Sequence, residues 1–144
     1  MKTLLVVGLS AEDRLFLRRV LSPRGWEIGE VHGCVQVLEQ LRDRRYHAVL
    51  SECFLIDGDW EDVLADLLLF TPAPPLIVAS RHANHRLWAE ILCSGVFDLL
   101  TLPFDESELV RVLELTAERH ARETASPHEP ASLVSVASSY GSLD

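Results

Sequence analysis

Apolar residues occur in five short runs along the chain, and each run is followed by a stretch in which they recur every three or four positions. The runs have the length and composition of β-strands, and the stretches between them have the period of amphipathic helices. The strand segments are 3–8, 26–31, 46–52, 75–80 and 97–101. This alternation predicts five successive βα units.

Capping residues mark the start of three of these helices. In each case a Ser or Asp is followed three residues later by an acid, which places helix starts near residues 11, 60 and 106. Residues that interrupt helices mark the ends, namely 22–25 after the first helix, Pro72 after the third and Gly95 after the fourth.

The first, third and fourth strand segments are almost entirely apolar, as expected of parallel strands covered by helices on both faces. Right-handed crossovers and the common five-strand order predict a doubly wound (βα)5 α/β fold with strand order 2-1-3-4-5. In that order the carboxyl ends of four strands meet at one crevice, where such folds place their chemistry. The residues at this edge are 8–10, 52–53, 80–81 and 101–103.

The chain has 144 residues, a net charge of -9 and a single lysine, Lys2. Its length fits one domain of ordinary size. The negative charge argues against a nucleic-acid partner, because phosphate binding depends on Lys and Arg. Apolar runs are too short to cross a membrane, and Glu12 and Asp13 come too early for a secretory signal. We therefore expect a cytoplasmic protein without a membrane contact.

The composition changes near residue 122. Residues 123–144 contain six Ser, two Pro and no Lys or Arg, which is too little apolar material to fold alone. We expect a folded domain over residues 1–122 and a flexible tail over residues 123–144. The segment SLVSV in this tail alternates like a strand that could join another protein's sheet, although such short segments are more often disordered.

Four landmarks accompany the strand spacing: Asp-Gly-Asp at 57–59, Ser80 after strand four, Ser-Gly at 94–95, and Leu-Pro-Phe at 102–104. With them, residues 1 to about 120 resemble a bacterial response-regulator receiver domain, which has a flavodoxin-like fold. The resemblance implies a role in two-component or phosphorelay signalling. In that family an acidic pair binds Mg²⁺, an Asp accepts a phosphoryl group, a Ser/Thr and an aromatic residue switch, and a Lys clamps the phosphate.

Most of these positions carry residues without the family's chemistry. The acidic pair corresponds to Gly8 and Leu9, and the phosphoacceptor corresponds to Glu52. The switch pair corresponds to Ser80 and Leu99, and the clamp lysine corresponds to Leu102.

These departures predict a loss of phosphoryl chemistry. Gly8 and Leu9 offer no ligand oxygen for Mg²⁺. Asp13 is not expected to replace them, because it lies in the first turn of helix one and can close a capping box there. Phosphoryl transfer needs cations that neutralise developing charge, and the only lysine, Lys2, begins strand one at the opposite edge. We expect no metal, no cofactor and no enzymatic activity.

Glu52 leaves two interpretations open. A Glu carries its carboxylate about one methylene further out than Asp does, which partly imitates a phosphorylated Asp and would hold an active-like state. Alternatively the site has drifted, and Glu52 merely forms a hydrogen bond with Ser80, Ser10 or Arg81. Its apolar neighbours favour drift, and they predict a raised pKa for Glu52 unless Arg81 or backbone N–H groups stabilise the charge.

An apolar surface is a second candidate site. Leu87 and Trp88 lie on helix four, and Val110 lies on a helix five whose apolar stripe is wider than burial requires. The resemblance implies that helix four, strand five and helix five form a face for a protein partner or for a second copy of the chain. Deeper burial of Trp60 and Trp88 is the competing interpretation.

Other chemistry-bearing residues favour ordinary structural roles. Residues 46–80 contain six acids and no Lys or Arg. This composition fits a capped, solvated helix better than a docking or metal-binding patch. Cys53 follows Glu52, but no basic residue adjoins it in the sequence to activate its thiol. The six His show no zinc-type spacing.

The sequence therefore predicts a receiver-like signalling domain that acts through protein–protein contacts and independently of aspartyl phosphate. The alternative is a small flavodoxin-like enzyme or nucleotide-binding protein that uses the same crevice. A dense cluster of backbone N–H groups around an anion-sized pocket would favour that alternative.

Overall fold

A five-stranded parallel sheet with helices on both faces forms the fold of the residues that the computed structural model describes, 1–82 and 84–125. The strands are β1 (Lys2–Val7), β2 (Trp26–Val31), β3 (Ala48–Glu52), β4 (Leu76–Ser80) and β5 (Asp98–Thr101). The helices are α1 (Ala11–Leu21), α2 (Val37–Asp43), α3 (Trp60–Leu67), α4 (His85–Leu92) and α5 (Glu106–Ala125).

The strand order is β2-β1-β3-β4-β5, and every neighbouring pair is parallel. The predicted doubly wound fold and its strand order are therefore confirmed. Each predicted strand boundary agrees with the observed one within two residues. The three helix starts predicted from capping residues coincide with the first residues of α1, α3 and α5.

Alternating side chains of the strands feed two hydrophobic cores, one on each face of the sheet. Leu4 and Val6 of β1 belong to the core beneath α1 and α5, whereas Leu5 and Val7 belong to the core beneath α3 and α4. All four of these side chains are fully buried. Because both faces are covered, the strands need apolar residues at nearly every position.

Side-chain caps fix the starts of the helices that border the crevice. Ser10 accepts a hydrogen bond from the Asp13 N–H at 3.2 Å. Asp59 and Asp62 form a reciprocal capping box at the start of α3. Such caps satisfy backbone N–H groups that a helix leaves unpaired in its first turn.

A small antiparallel ribbon, Phe54–Leu55 paired with Gly58–Asp59, follows β3 and was not predicted. Asp57 at its turn accepts hydrogen bonds from the N–H groups of Cys34 at 2.8 Å and Val35 at 3.2 Å. These bonds tie the ribbon to the connection between β2 and α2. The ribbon is thereby held over the carboxyl edge of the sheet.

Helix α5 continues to Ala125, three residues beyond the boundary predicted at residue 122. The rest of the predicted tail, with its SLVSV segment, lies outside the described residues. Within those described residues, none of the helices combines the length and apolarity that crossing a bilayer requires.

His120 lies on the buried side of α5 with only 7% of its surface exposed. Its Nδ1 atom has no hydrogen-bond partner among the described residues. Burial lowers the pKa of His120, and the nearby Glu123 carboxylate offsets part of this effect. The folded domain therefore holds His120 neutral at a pH at which the unfolded chain would already be protonated.

We expect the free energy of unfolding to fall as the pH drops below about 6.5, because the unfolded chain then binds a proton that the folded chain binds only at lower pH. His120→Gln should make this pH dependence shallower in urea unfolding between about pH 7 and pH 5. Part of the dependence should remain, since burial also lowers the pKa of His47. The exposed His85 provides the matched control, and an equal change in His85→Gln would contradict the assignment.

Candidate functional site

The fold brings the predicted crevice positions to one edge of the sheet. Glu52 ends β3 beside Ala79 of β4, and Ser80 ends β4 beside Thr101 of β5. Gly8 follows β1 directly and donates its N–H to the Val31 carbonyl oxygen at 3.0 Å. The geometry therefore agrees with the crevice expected from the strand order.

Gly8 sits beneath the side chain of Leu55, which projects from the ribbon. A Cβ atom added to Gly8 would lie 2.3 Å from Leu55 Cδ2 and 3.7 Å from Glu52 Cβ. The φ of Gly8 is 74°, a conformation that residues with a Cβ adopt only at a cost. The space that a side chain at position 8 would enter is thus filled by Leu55.

The other positions expected to have lost their chemistry are buried among apolar residues. Leu9, Leu99 and Leu102 are 3%, 6% and 7% exposed. Leu9 and Leu102 belong to the core beneath α1 and α5, and Leu99 belongs to the opposite core. These side chains stabilise the fold and offer no polar group to the crevice.

Asp13 has a role that sequence reasoning missed. Its carboxylate oxygen lies 2.6 Å from Arg81 Nη2 and accepts a hydrogen bond from Ser10 Oγ at 2.9 Å. The Asp13 side chain is only 7% exposed. Asp13 was expected to close a capping box at the start of α1; its N–H does bond to the N-cap Ser10, but its buried carboxylate also pairs across the crevice with the partly exposed Arg81.

Glu52 is half-buried, and burial raises its pKa, as predicted. The Arg81 charge lowers the pKa of Glu52 in part, whereas the Asp13 charge raises it further. None of the three hydrogen-bond partners considered for Glu52 bonds to its side chain in the described structure. Ser10 and Arg81 bond to Asp13, and Ser80 Oγ accepts the N–H of His82 at 3.1 Å.

The residues of this crevice do not fit a magnesium ion. Mg²⁺ needs an octahedron of oxygen ligands, usually including one or two carboxylates. Gly8 and Leu9 supply no carboxylate. The carboxylate of Asp13 is neutralised by Arg81, whose positive charge also opposes a second cation. Across residues 1–82 and 84–125, no group of three or more His, Cys, Asp or Glu side chains is arranged to hold a metal ion.

The backbone N–H groups around the crevice are also occupied. Cys53 donates to the Ala79 carbonyl oxygen at 2.9 Å, and Leu102 donates to the Ser80 carbonyl oxygen at 3.0 Å. The N–H groups of Gly8 and His82 bond within the chain as well. A cluster of unpaired N–H groups, which an anion-binding enzyme would present, is not formed by these four residues.

The predicted apolar surface is only partly exposed. Leu87, Trp88 and Val110 are half-buried and pack against the two cores. Trp60 is 3% exposed, so the competing interpretation of deeper burial holds for this residue.

Cys53 is fully buried, and burial together with the neighbouring Glu52 charge raises the pKa of its thiol to about 11. Cys53 is therefore an unreactive core residue.

The fold is the one found in response-regulator receiver domains, and the solved structures to which this chain is similar are of that class. The receiver domain of a Pseudomonas fluorescens Pf-5 HD domain-containing protein has a TM-score of 0.76 and 24% identity, covering 85% of this chain and 98% of that one. The receiver domain of a Pseudomonas aeruginosa PAO1 sensor histidine kinase, with magnesium in its active-site cleft, has a TM-score of 0.71 and 22% identity, covering 81% and 98%. At these identities the structural likeness establishes the fold.

The sequence is also similar to parts of two transcriptional regulatory proteins. The chain is 27% identical over 125 residues to the KDP operon transcriptional regulatory protein KdpE of Escherichia coli K12, covering 87% of this chain and 55% of KdpE. It is 26% identical over 124 residues to the transcriptional regulatory protein ZraR of Klebsiella oxytoca, covering 86% of this chain and 28% of ZraR. The chain thus spans about a quarter to a half of the curated relatives it matches. No family model matches it.

The occupation of the Gly8 site by Leu55 can be tested with alanine. Gly25 is the matched control, because its φ is 88° but a Cβ there meets nothing within 4 Å. Gly25→Ala should cost about 1–2 kcal/mol of unfolding free energy from backbone strain alone. Gly8→Ala should cost about 1–3 kcal/mol more, since the added methyl must displace Leu55.

Urea unfolding of both variants in wild-type and Leu55→Ala backgrounds measures the difference. The extra cost of Gly8→Ala should disappear in the Leu55→Ala background, whereas the cost of Gly25→Ala should not change. Equal costs for Gly8→Ala in the two backgrounds would contradict the packing of Leu55 over Gly8.

Proposed function

We propose that this receiver domain acts independently of aspartyl phosphate, through contacts with another protein. The observation that carries the proposal is the filled crevice. Leu55 occupies the space above Gly8, and Arg81 neutralises Asp13, which is the one buried carboxylate among the described residues. A phosphoryl group and its metal ion would have to displace both the apolar side chain and the ion pair.

Glu52 contributes to this proposal as a drifted position rather than as a phosphate mimic. A mimic acts through charge and through hydrogen bonds to the groups that would meet the phosphate. Burial disfavours the charged form of Glu52, as the raised pKa shows, and Ser80 Oγ accepts the His82 N–H without bonding to Glu52 in the described structure. Both observations support drift.

The partner surface that we propose is the face formed by α4, β5 and α5. Leu87 and Trp88 of α4 are half-buried and pack against the core beneath α3 and α4, and Leu92 at the end of α4 is 48% exposed. Val110 of α5 packs against the opposite core, so α4 carries the apolar part of the proposed surface. We propose another signalling protein or a second copy of the chain as the occupant. From its negative charge we do not expect this chain itself to bind nucleic acid, although ZraR and KdpE are named as transcriptional regulatory proteins.

An enzyme or nucleotide-binding protein remains the alternative from a different class. The four crevice N–H groups that could receive an anion already bond to the chain, so no observation favours this alternative. We therefore propose a signalling role without catalysis.

Amide NMR with Mg²⁺ and beryllofluoride, an analogue of the phosphoryl group, tests phosphate independence. We expect no shifts centred on residue 52, because the crevice offers neither ligands for the metal nor space for the analogue. The magnesium-binding P. aeruginosa receiver domain serves as the positive control. Saturable shifts around Glu52 would overturn the proposal.

The surface proposal is tested by exposed-residue variants in affinity capture and sedimentation equilibrium. Leu92→Asp should weaken partner binding or self-association at least about tenfold, because it places a charge in an apolar contact. Leu68→Asp, at a residue 64% exposed beyond the end of α3, is the matched control. Glu52→Ala should have no effect. Retained association in Leu92→Asp, or loss in Glu52→Ala, would count against the proposal.

A further inference from the structure

Arg81 connects two parts of the fold that are otherwise separate at the crevice. It is the first residue after β4, whereas its partner Asp13 lies in the first turn of α1. The distance from Arg81 Nη2 to the Asp13 carboxylate is 2.6 Å, and the Asp13 side chain is only 7% exposed. A short, charge-assisted contact that is shielded on one side is strong compared with an exposed ion pair.

Ser10 orients the Asp13 carboxylate that pairs with Arg81. The Ser10 hydroxyl donates to Asp13 at 2.9 Å while it accepts the Asp13 N–H at 3.2 Å. These two bonds fix the carboxylate relative to the start of α1. The partner offered to Arg81 is therefore rigid, which reduces the entropy lost on forming the pair.

The loop after β4 is held from two further directions. The N–H of His82 donates to Ser80 Oγ, and the N–H of Leu102 donates to the Ser80 carbonyl oxygen. The same loop leads to Asn84, which caps α4 by accepting the N–H of Leu87 at 2.9 Å. Arg81 and His82 are thus held at the carboxyl end of β4, a few residues before Asn84 in the sequence.

We infer that the Asp13–Arg81 pair is a permanent latch, which fixes the carboxyl end of β4, with Arg81 and His82, against the start of α1 in one conformation. This inference rests on the proposed phosphate independence, and the ion pair would be the physical cause of that independence. Arg81 provides, from within the chain, a cation that meets the buried carboxylate at the crevice. The crevice end of β4 is consequently held in one state whether or not a phosphoryl donor is present.

Amide hydrogen exchange of His82 and Leu102 tests the latch directly, since both N–H groups bond to Ser80. Arg81→Ala should accelerate their exchange roughly tenfold or more, the effect of losing a hydrogen bond between charged groups. Arg86→Ala, which removes the same charge from an exposed position on α4, should leave these rates unchanged. Exchange rates in Arg81→Ala equal to wild type would overturn the latch.

The pKa of Glu52 supplies a second readout that a merely structural role would not move in this way. Arg81→Ala should raise the pKa of Glu52, because the opposing positive charge is lost. Asp13→Asn should lower the pKa of Glu52, because a negative neighbour is removed and Arg81 is freed. Side-chain NMR titration measures both, and shifts in the same direction would contradict the arrangement.

The variant Asp13→Asn/Arg81→Ala keeps the test valid if Arg81→Ala alone unfolds, because it leaves no unpaired buried charge. Its exchange rate at His82 should exceed that of the wild type by the same factor of roughly ten or more. The outcomes separate the two proposals. Shifts around Glu52 with beryllofluoride in the wild type would overturn phosphate independence, whereas unchanged exchange in both latch variants would overturn only the latch.

Discussion

Burial of the sheet on both faces is the constraint on which the rest of the structure depends. With helices covering both sides, side chains of the strands are committed to the cores, as the full burial of Leu4 to Val7 illustrates. Polar groups are then confined to the ends of the strands. At the carboxyl edge, the residues that follow β1, β3, β4 and β5 are brought together whatever their chemistry, and in this chain many of them are apolar. The same constraint that usually creates a reactive crevice here extends the core into it.

This explains why the fold and part of the site could be predicted from sequence while other features could not. Strands and helix starts depend on local patterns, and they were predicted within two residues. The positions of Gly8, Leu9, Glu52 and Leu102 follow from strand ends and topology alone. By contrast, the ribbon after β3 is two residues long on each side and has no periodic pattern to reveal it. The placement of Leu55 over Gly8 depends on that ribbon, and so was not predicted.

The Asp13–Arg81 pair is a different case, because the sequence contained a usable signal. Asp13 lies one helical turn before Leu17, on the stripe of α1 that is buried, and an acid on such a stripe needs a partner. Arg81 is the basic residue that immediately follows a crevice strand. Attributing Asp13 to helix capping satisfied the local pattern but left the buried carboxylate without a counter-charge. A capping role and a long-range ion pair are compatible, and Ser10 takes part in both.

The electrostatics of the crevice explain why the acidic pair and the clamp lysine are absent together. Closely spaced carboxylates at one sheet edge repel one another unless a metal ion or a lysine compensates them. A chain with Leu102 at the clamp position could not carry an uncompensated acidic pair at positions 8 and 9 without a cost in stability. With Gly8 and Leu9 there, two carboxylates remain, and Arg81 neutralises the more deeply buried one. Glu52 is left half-buried with a raised pKa, because burial and the Asp13 charge outweigh the effect of Arg81.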